Sequence, residues 1–594
     1  MSTMLPVAMR ETKRHSFRGA NGCCCRLGKR LAKLFLLPIM ANSQLIGAGY
    51  DRPYGDPKLS RSVVMAPNGM VATSHTLAAE AGVDVLKRGG NAIDAAIAAN
   101  AVLGVVEPMS CGIGGDLFAI VWDAKSKKLY GLNASGRSPL GISRQLIRER
   151  GHDRIPIKGP LSWSVPGCVL GWQVLHDRFG NLPLSKILAP AVRYARDGFP
   201  VTQIIAGYWS GSEGILSETE TASRAFLKNG KAPKEGERMT NSDLAKVYRA
   251  IGKEGAKVFY EGWIAEEMVS YSQSVGGLIT MEDLKRHTSE WIEPVSTNYR
   301  GHQIWELPPN GQGIAALQIL NVFELYDIAA MGHNSADYIH LFTEAKKLAF
   351  ADRAKFYADP QVEKNLPIAE LISKPYAVQQ SKRINMAKAA QRVPVGDPQL
   401  KHGDTIYLTA VDKDRNVVSL IQSTYYGFGS GHVPGKVGFT MQNRGTLFAM
   451  DDNHHNRLEP FKRPFHTIIP AMVTKGGKPV LSFGVMGGDM QPQGHAQVLV
   501  NMIDHGMNVQ EAADAARVRH DGSDTPTGDV MTNGGRLIVE SGVSDKIFAE
   551  LKKRGHNISR GGAGGGYQAI RIDHETGLLH GGSEARKDGA AIGY

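Results

Sequence analysis

The spacing of apolar and polar positions divides the chain into a mostly helical first part and a strand-rich second part. Two short apolar runs, Ser62-Val63-Val64-Met65-Ala66 and Met70-Val71-Ala72, flank Pro67-Asn68-Gly69 and predict a strand pair joined by a turn. Ser74 is the predicted N-cap of a helix with Leu77, Ala81 and Val85 on one stripe, ending at Gly89-Gly90. Asn91 is the predicted cap of a second helix, 92–103, rich in alanine. Small side chains on every face predict a helix buried among close neighbours. The stretch Glu107-Pro108-Met109-Ser110-Cys111-Gly112-Ile113-Gly114-Gly115-Asp116 reads as a glycine-rich turn into a strand over 117–122. Helical spacing returns at 168–179, 184–197, 313–326 and 335–357. Residues 205–290 read as a variable polar middle. Residues 375–403 read as a loop or linker ending Pro394-Val395-Gly396-Asp397-Pro398.

After residue 404 the period becomes two. Thr405-Ile406-Tyr407-Leu408-Thr409-Ala410-Val411, a polar turn, and Val417-Val418-Ser419-Leu420-Ile421-Gln422-Ser423-Thr424 predict a hairpin. Further strands are expected at 437–442, 471–474, 479–483 and 567–573, with helices at 492–505 and 509–518. This order predicts layered α/β architecture with the sheets inside.

The 594 residues allow a deep core, and 42% apolar with 21% charged residues excludes a disordered polyelectrolyte. The net charge of +12 is concentrated. Residues 1–34 carry Arg10, Lys13, Arg14, Arg18, Arg26, Lys29, Arg30 and Lys33 against Glu11, so the tail holds +7 of it. The excess basicity is therefore no nucleic-acid footprint, and no nucleic-acid partner is expected. The uncharged run after Lys33 is too short to span a membrane. It suits a signal segment cleaved near Ala41 or Ala48, giving a periplasmic or secreted protein; the other reading is a tail on a cytoplasmic one. Three of five cysteines (Cys23, Cys24, Cys25) lie in that tail, which leaves only Cys111 and Cys168 and excludes a disulfide framework.

Several chemistries fail on spacing. No phosphate-binding Gly-x4-Gly-Lys-Ser/Thr exists, and Gly561–Gly566 reads as a flexible loop. His454-His455 beside Asp451 and Asp452 reads as a solvated loop, so no metal and no cofactor is expected. Ser212 lacks the first glycine and the preceding strand of a nucleophile elbow. Thr405 stands at a strand start after His402-Gly403-Asp404. A cut before it would give it a free α-amine of pKa ~7.7–8.0, able to take its own hydroxyl proton. Spacing alone favours an ordinary strand start.

Several stretches resemble the γ-glutamyltranspeptidase (glutathione hydrolase) family in order and spacing from about residue 60 to the C-terminus. They are Gly89-Gly90-Asn91-Ala92-Ile93-Asp94-Ala95-Ala96, Glu107-Pro108 with Gly112–Gly115, Leu307-Pro308-Pro309-Asn310-Gly311-Gln312-Gly313, and Ala351-Asp352-Arg353. Gly403-Asp404-Thr405, Lys462-Arg463-Pro464 and Gly487-Gly488 complete them. The resemblance implies an N-terminal-nucleophile hydrolase, a four-layer αββα sandwich that cuts itself between Asp404 and Thr405. It implies a tail over 1–59, a large subunit over 60–404 and a small one over 405–594 that stay together. Thr405 would be the nucleophile and Ser423 its supporting hydroxyl. Gly487 and Gly488 would form the oxyanion hole, and Arg137 would take the donor's α-carboxylate.

The resemblance is imperfect where such enzymes grip the donor. Tyr425, Arg444, His466 and Thr467 occupy those positions, and Leu447 replaces the acid that would hold the donor's α-amine. Asp489 is the nearby acid that could replace it. The pattern, with Asn443-Arg444-Gly445 and Met486-Gly487-Gly488-Asp489, resembles the divergent branch of glutaryl-cephalosporin acylases and small-amide hydrolases. The expected activity is hydrolysis of γ-glutamyl amides such as glutathione, with hydrolysis ahead of transfer. The alternatives are glutaryl or oxamate-like amides, or an uncleaved scaffold that only binds.

Overall fold

A computed structural model of the protein describes residues 61–393 and 404–594. The expected signal segment, Cys23–Cys25, the end of the 375–403 linker and His402-Gly403 lie outside the described residues.

Two seven-stranded sheets form the centre, and every neighbouring pair in both is antiparallel. The first runs Val64–Ala66, Leu579–Ser583, Tyr567–Ile572, Lys478–Val485, Ala471–Lys475, His302–Glu306, Val295–Tyr299. The second runs Ala590–Gly593, Met70–Thr73, Asp404–Val411, Val417–Tyr425, Asp116–Asp123, Lys128–Ala134, Glu290–Ile292.

The period-two pattern explains why both sheets are buried on both faces. In Asp116–Asp123, Phe118, Ile120 and Trp122 point at the other sheet, and Leu117, Ala119 and Val121 point at helices. Val417 and Ile421 likewise face the other sheet, and Val418 and Leu420 face helices. Thr76–Lys87, Ala92–Val106 and Cys168–Phe179 cover the second sheet, and Gly313–Phe323, Met490–Ile503 and Val509–Asp514 cover the first. The molecule is thus helix, sheet, sheet, helix: the αββα sandwich of the N-terminal-nucleophile hydrolases. All of Ala92–Val106 is buried, as its alanines require, and Asn91 and Asp94 close a capping box at its start.

Five local expectations are corrected. Val64–Ala66 and Met70–Thr73 do not pair with each other; the Pro67-Asn68-Gly69 turn passes the chain from one sheet to the other. The first helix is capped by His75, whose Nδ1 accepts from the Leu77 N–H, because the Ser74 hydroxyl donates to Glu107 instead. Residues 437–442 form a loop. Their backbone bonds go to local turns and to Gly114, and Gly438 sits at φ +72°. The middle, 205–290, is helical, with Ser242–Glu254 burying Leu244, Val247, Tyr248 and Ile251 at helical spacing. The presumed linker contains the helix Lys374–Ser381.

Candidate active site

The strand Asp404–Val411 carries Thr405 at its head, with its side chain on the face turned toward the other sheet, as Tyr407 and Val411 are. Thr405 is buried, and its Oγ1 donates to Ser423 Oγ over a long 3.4 Å. Ser423 Oγ also accepts from the Tyr425 N–H at 2.8 Å. The ladder with Val417–Tyr425 is irregular between Asp404 and Ile406, so Thr405 sits at a break in the register. The glycine turn expected before residue 116 presses against this strand. A Cβ on Gly115 would lie 2.3 Å from the Ser423 carbonyl oxygen, so no side chain fits.

The other sheet supplies the glycine pair. Lys478–Val485 ends, the chain turns through Gly487 (φ +101°) and Gly488 (φ +57°), and Met490–Ile503 begins. Both angles are left-handed, which a Cβ disfavours. The Gly487 and Gly488 carbonyls accept from Met490 N and Gln491 N, which turns this segment into the helix start.

Arg444 is fully buried, and its Nη1 donates to Thr467 Oγ1 at 2.7 Å. Its guanidinium carbon lies 4.6 Å from the centre of the Tyr425 ring. Among the described residues nothing accepts from its Nε or Nη2, and no carboxylate pairs with it. Burial lowers its pKa to about 10, still charged at neutral pH. Next to Thr467, His466 donates from Nε2 to Asp116 Oδ2 at 3.0 Å and accepts at Nδ1 from Ile468 N. Burial, then the Arg444 charge, push His466 down to about 3 despite Asp116, so it is neutral. Asp116 Oδ1 accepts from Gly136 N, Gly167 N and Gln442 Nε2.

Two other expected residues are already committed. Asp489 takes a fork from the buried Arg353, Nη1 to Oδ1 at 2.6 Å and Nη2 to Oδ2 at 3.2 Å. Arg137 donates to Glu290 and Gln361, each at 2.7 Å, and to Thr288. Glu290 also accepts from Arg463 at 2.8 Å, and the two guanidiniums hold its carboxyl below the usual range against the effect of burial.

A line of contacts joins most of the expected residues. It runs from Thr405 to Ser423, to the Tyr425 backbone, across the Tyr425 ring to Arg444, to Thr467, then through Gln312 to Gly488. Asp489 joins through Arg353, which donates to Gln312. Arg137 stands aside with Glu290 and Arg463. Sequence reasoning gave no role to Gln312, Arg353 or Asp116. The first two lay inside the motif stretches; what was lacking was the cross-chain contact. Ser212 donates to the Tyr208 carbonyl in the ordinary helical way. The grouping among the described residues with metal-ligand spacing is His340, Glu344 and His556. Its atoms are used internally: His340 meets His556 at 2.8 Å, and Glu344 accepts from Lys347 and Ala390 N.

A family model described as Gamma-glutamyltranspeptidase matches residues 78–594. The chain is 39% identical over 539 residues to the glutathione hydrolase-like YwrD proenzyme of Bacillus subtilis (strain 168), covering 89% of this chain and 99% of that one. It is 30% identical over 587 residues to the glutathione hydrolase proenzyme of the same organism, covering 95% and 98%. The crystal structure of cephalosporin acylase from Bacillus halodurans superposes with a TM-score of 0.84 at 42% identity, covering 92% of this chain and 98% of that one. Two stacked antiparallel sheets with helices on their outer faces, and these matches, agree: the chain belongs to the gamma-glutamyltranspeptidase family of N-terminal-nucleophile hydrolases and is an enzyme.

Proposed function

We propose that the protein is a self-processing amidohydrolase whose nucleophile is Thr405, and that its preferred acyl donors carry a terminal carboxylate but no α-ammonium, as glutaryl amides do. In the uncut chain the Thr405 nitrogen is an amide and cannot serve as a base. Attack of Thr405 Oγ on the Asp404 carbonyl carbon breaks the Asp404–Thr405 C–N bond, and the hydroxyl proton passes to the departing nitrogen. Water then hydrolyses the ester, leaving a large subunit that ends at Asp404, a small one (405–594) and a free amine on Thr405.

That amine takes the Thr405 hydroxyl proton as Oγ attacks the donor's amide carbon. The Gly487 and Gly488 N–H groups are the candidate donors to the oxyanion. The proton returns to the leaving amine, and water resolves the acyl-enzyme. Transfer to an added amine follows the same route but needs an acceptor seat, so hydrolysis is expected to lead; strong acceleration by glycylglycine would reverse that order.

The observation that carries the donor assignment is Arg444, a buried cation with two nitrogens that no described residue accepts from and no described carboxylate paired with it, Asp116 acting on it only at longer range. A donor carboxylate satisfies those nitrogens. A donor ammonium meets a like charge, and Asp489 is occupied by Arg353. The similarity to a cephalosporin acylase supports this reading, and the similarity to a glutathione hydrolase supports γ-glutamyl donors as the second one. The test is mass spectrometry of the purified protein for a fragment starting at Thr405, then parallel hydrolysis of glutaryl and γ-glutamyl p-nitroanilides. A higher kcat/KM on the γ-glutamyl compound overturns the donor assignment but leaves the nucleophile standing.

A further inference from the structure

Gln312 is fully buried and occupies the N-cap position of the helix Gly313–Phe323. An N-cap side chain ordinarily accepts from the first free N–H groups of its own helix. Gln312 makes no such bond. Its amide reaches away, and Nε2 donates to two backbone carbonyls, Thr467 at 2.6 Å and Gly488 at 2.9 Å. Its Oε1 accepts from Arg353 Nη1 at 2.6 Å, the same nitrogen that holds Asp489.

We infer that Gln312 is a positioning residue for the reaction, fixing the glycine turn of one segment against the donor-binding segment of another. The Gly488 carbonyl belongs to the peptide that follows the left-handed Gly488. Holding that carbonyl limits rotation about the bonds that aim the preceding N–H groups at the developing oxyanion. The Thr467 carbonyl belongs to the residue whose hydroxyl carries Arg444. One primary amide therefore sets the spacing between the place where negative charge develops and the place where the donor is gripped. Its geometry also fixes which amide atom faces where: the NH2 must face the two carbonyls, because Arg353 can only donate to the oxygen. A carboxylate at this position keeps the Arg353 contact but turns oxygen toward both carbonyls.

The inference rests on Thr405 as nucleophile and is independent of which donor is preferred. The experiment compares the wild type with Gln312→Glu and Gln312→Met, using whichever p-nitroanilide the wild type hydrolyses best. Folding is monitored by the yield of the Thr405-initiated fragment and by thermal melting. Three quantities are read: kcat, KM, and the ratio of inhibition by a boronic acid, which forms a tetrahedral adduct on Thr405, to inhibition by glutarate (glutamate where the γ-glutamyl anilide is the better substrate), which forms none. The expected result is processed protein in both variants and kcat lowered about 10- to 100-fold, somewhat below the loss of a direct oxyanion donor. KM should change less than threefold, and the boronate should lose affinity in step with kcat, while glutarate does not. Gln312→Glu should be the worse of the two. Equal loss of boronate and glutarate affinity, or unchanged kcat in processed Gln312→Glu, overturns the inference. A wild type that neither cuts itself nor hydrolyses either anilide overturns the functional reading beneath it.

Discussion

The guanidinium of Arg444 lies over the ring of Tyr425, 4.6 Å from its centre, and its hydrogen-bonding is left incomplete by the described residues. The stack and the bond to Thr467 orient the planar group, so its other edge can meet a carboxylate in two parallel bonds. Replacing it by Gln should raise KM for a glutaryl anilide about 10- to 100-fold, the value of ~1.5–3 kcal/mol for hydrogen bonds to a charged group. A γ-glutamyl anilide should lose less or gain. Steady-state kinetics on the two compounds check this, and equal losses would argue against Arg444 as the donor seat.

Thr405→Ala should give one full-length band on a denaturing gel and no amidase activity, in a protein that melts like the uncut precursor. Processing or activity in that variant would remove the central residue of the mechanism.

Ser423→Ala removes the hydroxyl that accepts from Thr405 and from the Tyr425 N–H. Slower self-cutting and a kcat reduced about fivefold are expected, with Ser423→Thr retaining most of both; one lost hydrogen bond of about 1 kcal/mol sets that scale. A time course of band conversion measures the first and initial rates the second.

Asp489→Ala strips the buried Arg353 of its carboxylate. Because Asp489 is partly exposed, the cost should sit near the low end for a broken buried pair, about 3 kcal/mol. Chemical denaturation reads it. The ratio of γ-glutamyl to glutaryl kcat/KM should stay within about threefold, which a direct role of Asp489 in gripping the donor amine would not allow.

His466, held at about 3 by burial, titrates near 6.5 once unfolded. Between those values the unfolded chain binds more protons, so this stabilisation is full above pH 6.5 and is lost as pH falls toward 3. The slope for one such group approaches 1.4 kcal/mol per pH unit. Denaturation curves at pH 7 and 5 should show His466→Gln losing less stability on acidification than the wild type.

The layers were legible because Asp116–Asp123 and Val417–Tyr425 alternate strictly, each face apolar for a different neighbour. The motifs named Thr405, Ser423 and the glycine pair; the structure sets Thr405 beside Ser423 and puts the glycine pair at a strand-to-helix turn of the other sheet. Partnering was not legible. Asp489 reads as an acid close to the glycines, but 136 positions earlier Arg353 claims it, and no local spacing encodes that. Met70–Thr73 looked like half of a hairpin because a turn follows a strand in both cases; only the two-sheet stacking decides which sheet the next strand joins.

The order of strands in the second sheet governs what a cut at Asp404–Thr405 can do. Met70–Thr73 and Asp116–Asp123, from before the cut, flank the hairpin that follows it, and Ala590–Gly593 then closes on Met70–Thr73 from the far side. In the first sheet Val64–Ala66 and His302–Glu306 bracket four strands of the later piece in the same way. The two products are laced together through ladders of both sheets, so severing one peptide should change the chemistry at its new end while leaving the shape intact. Pulling the halves apart amounts to unfolding the whole.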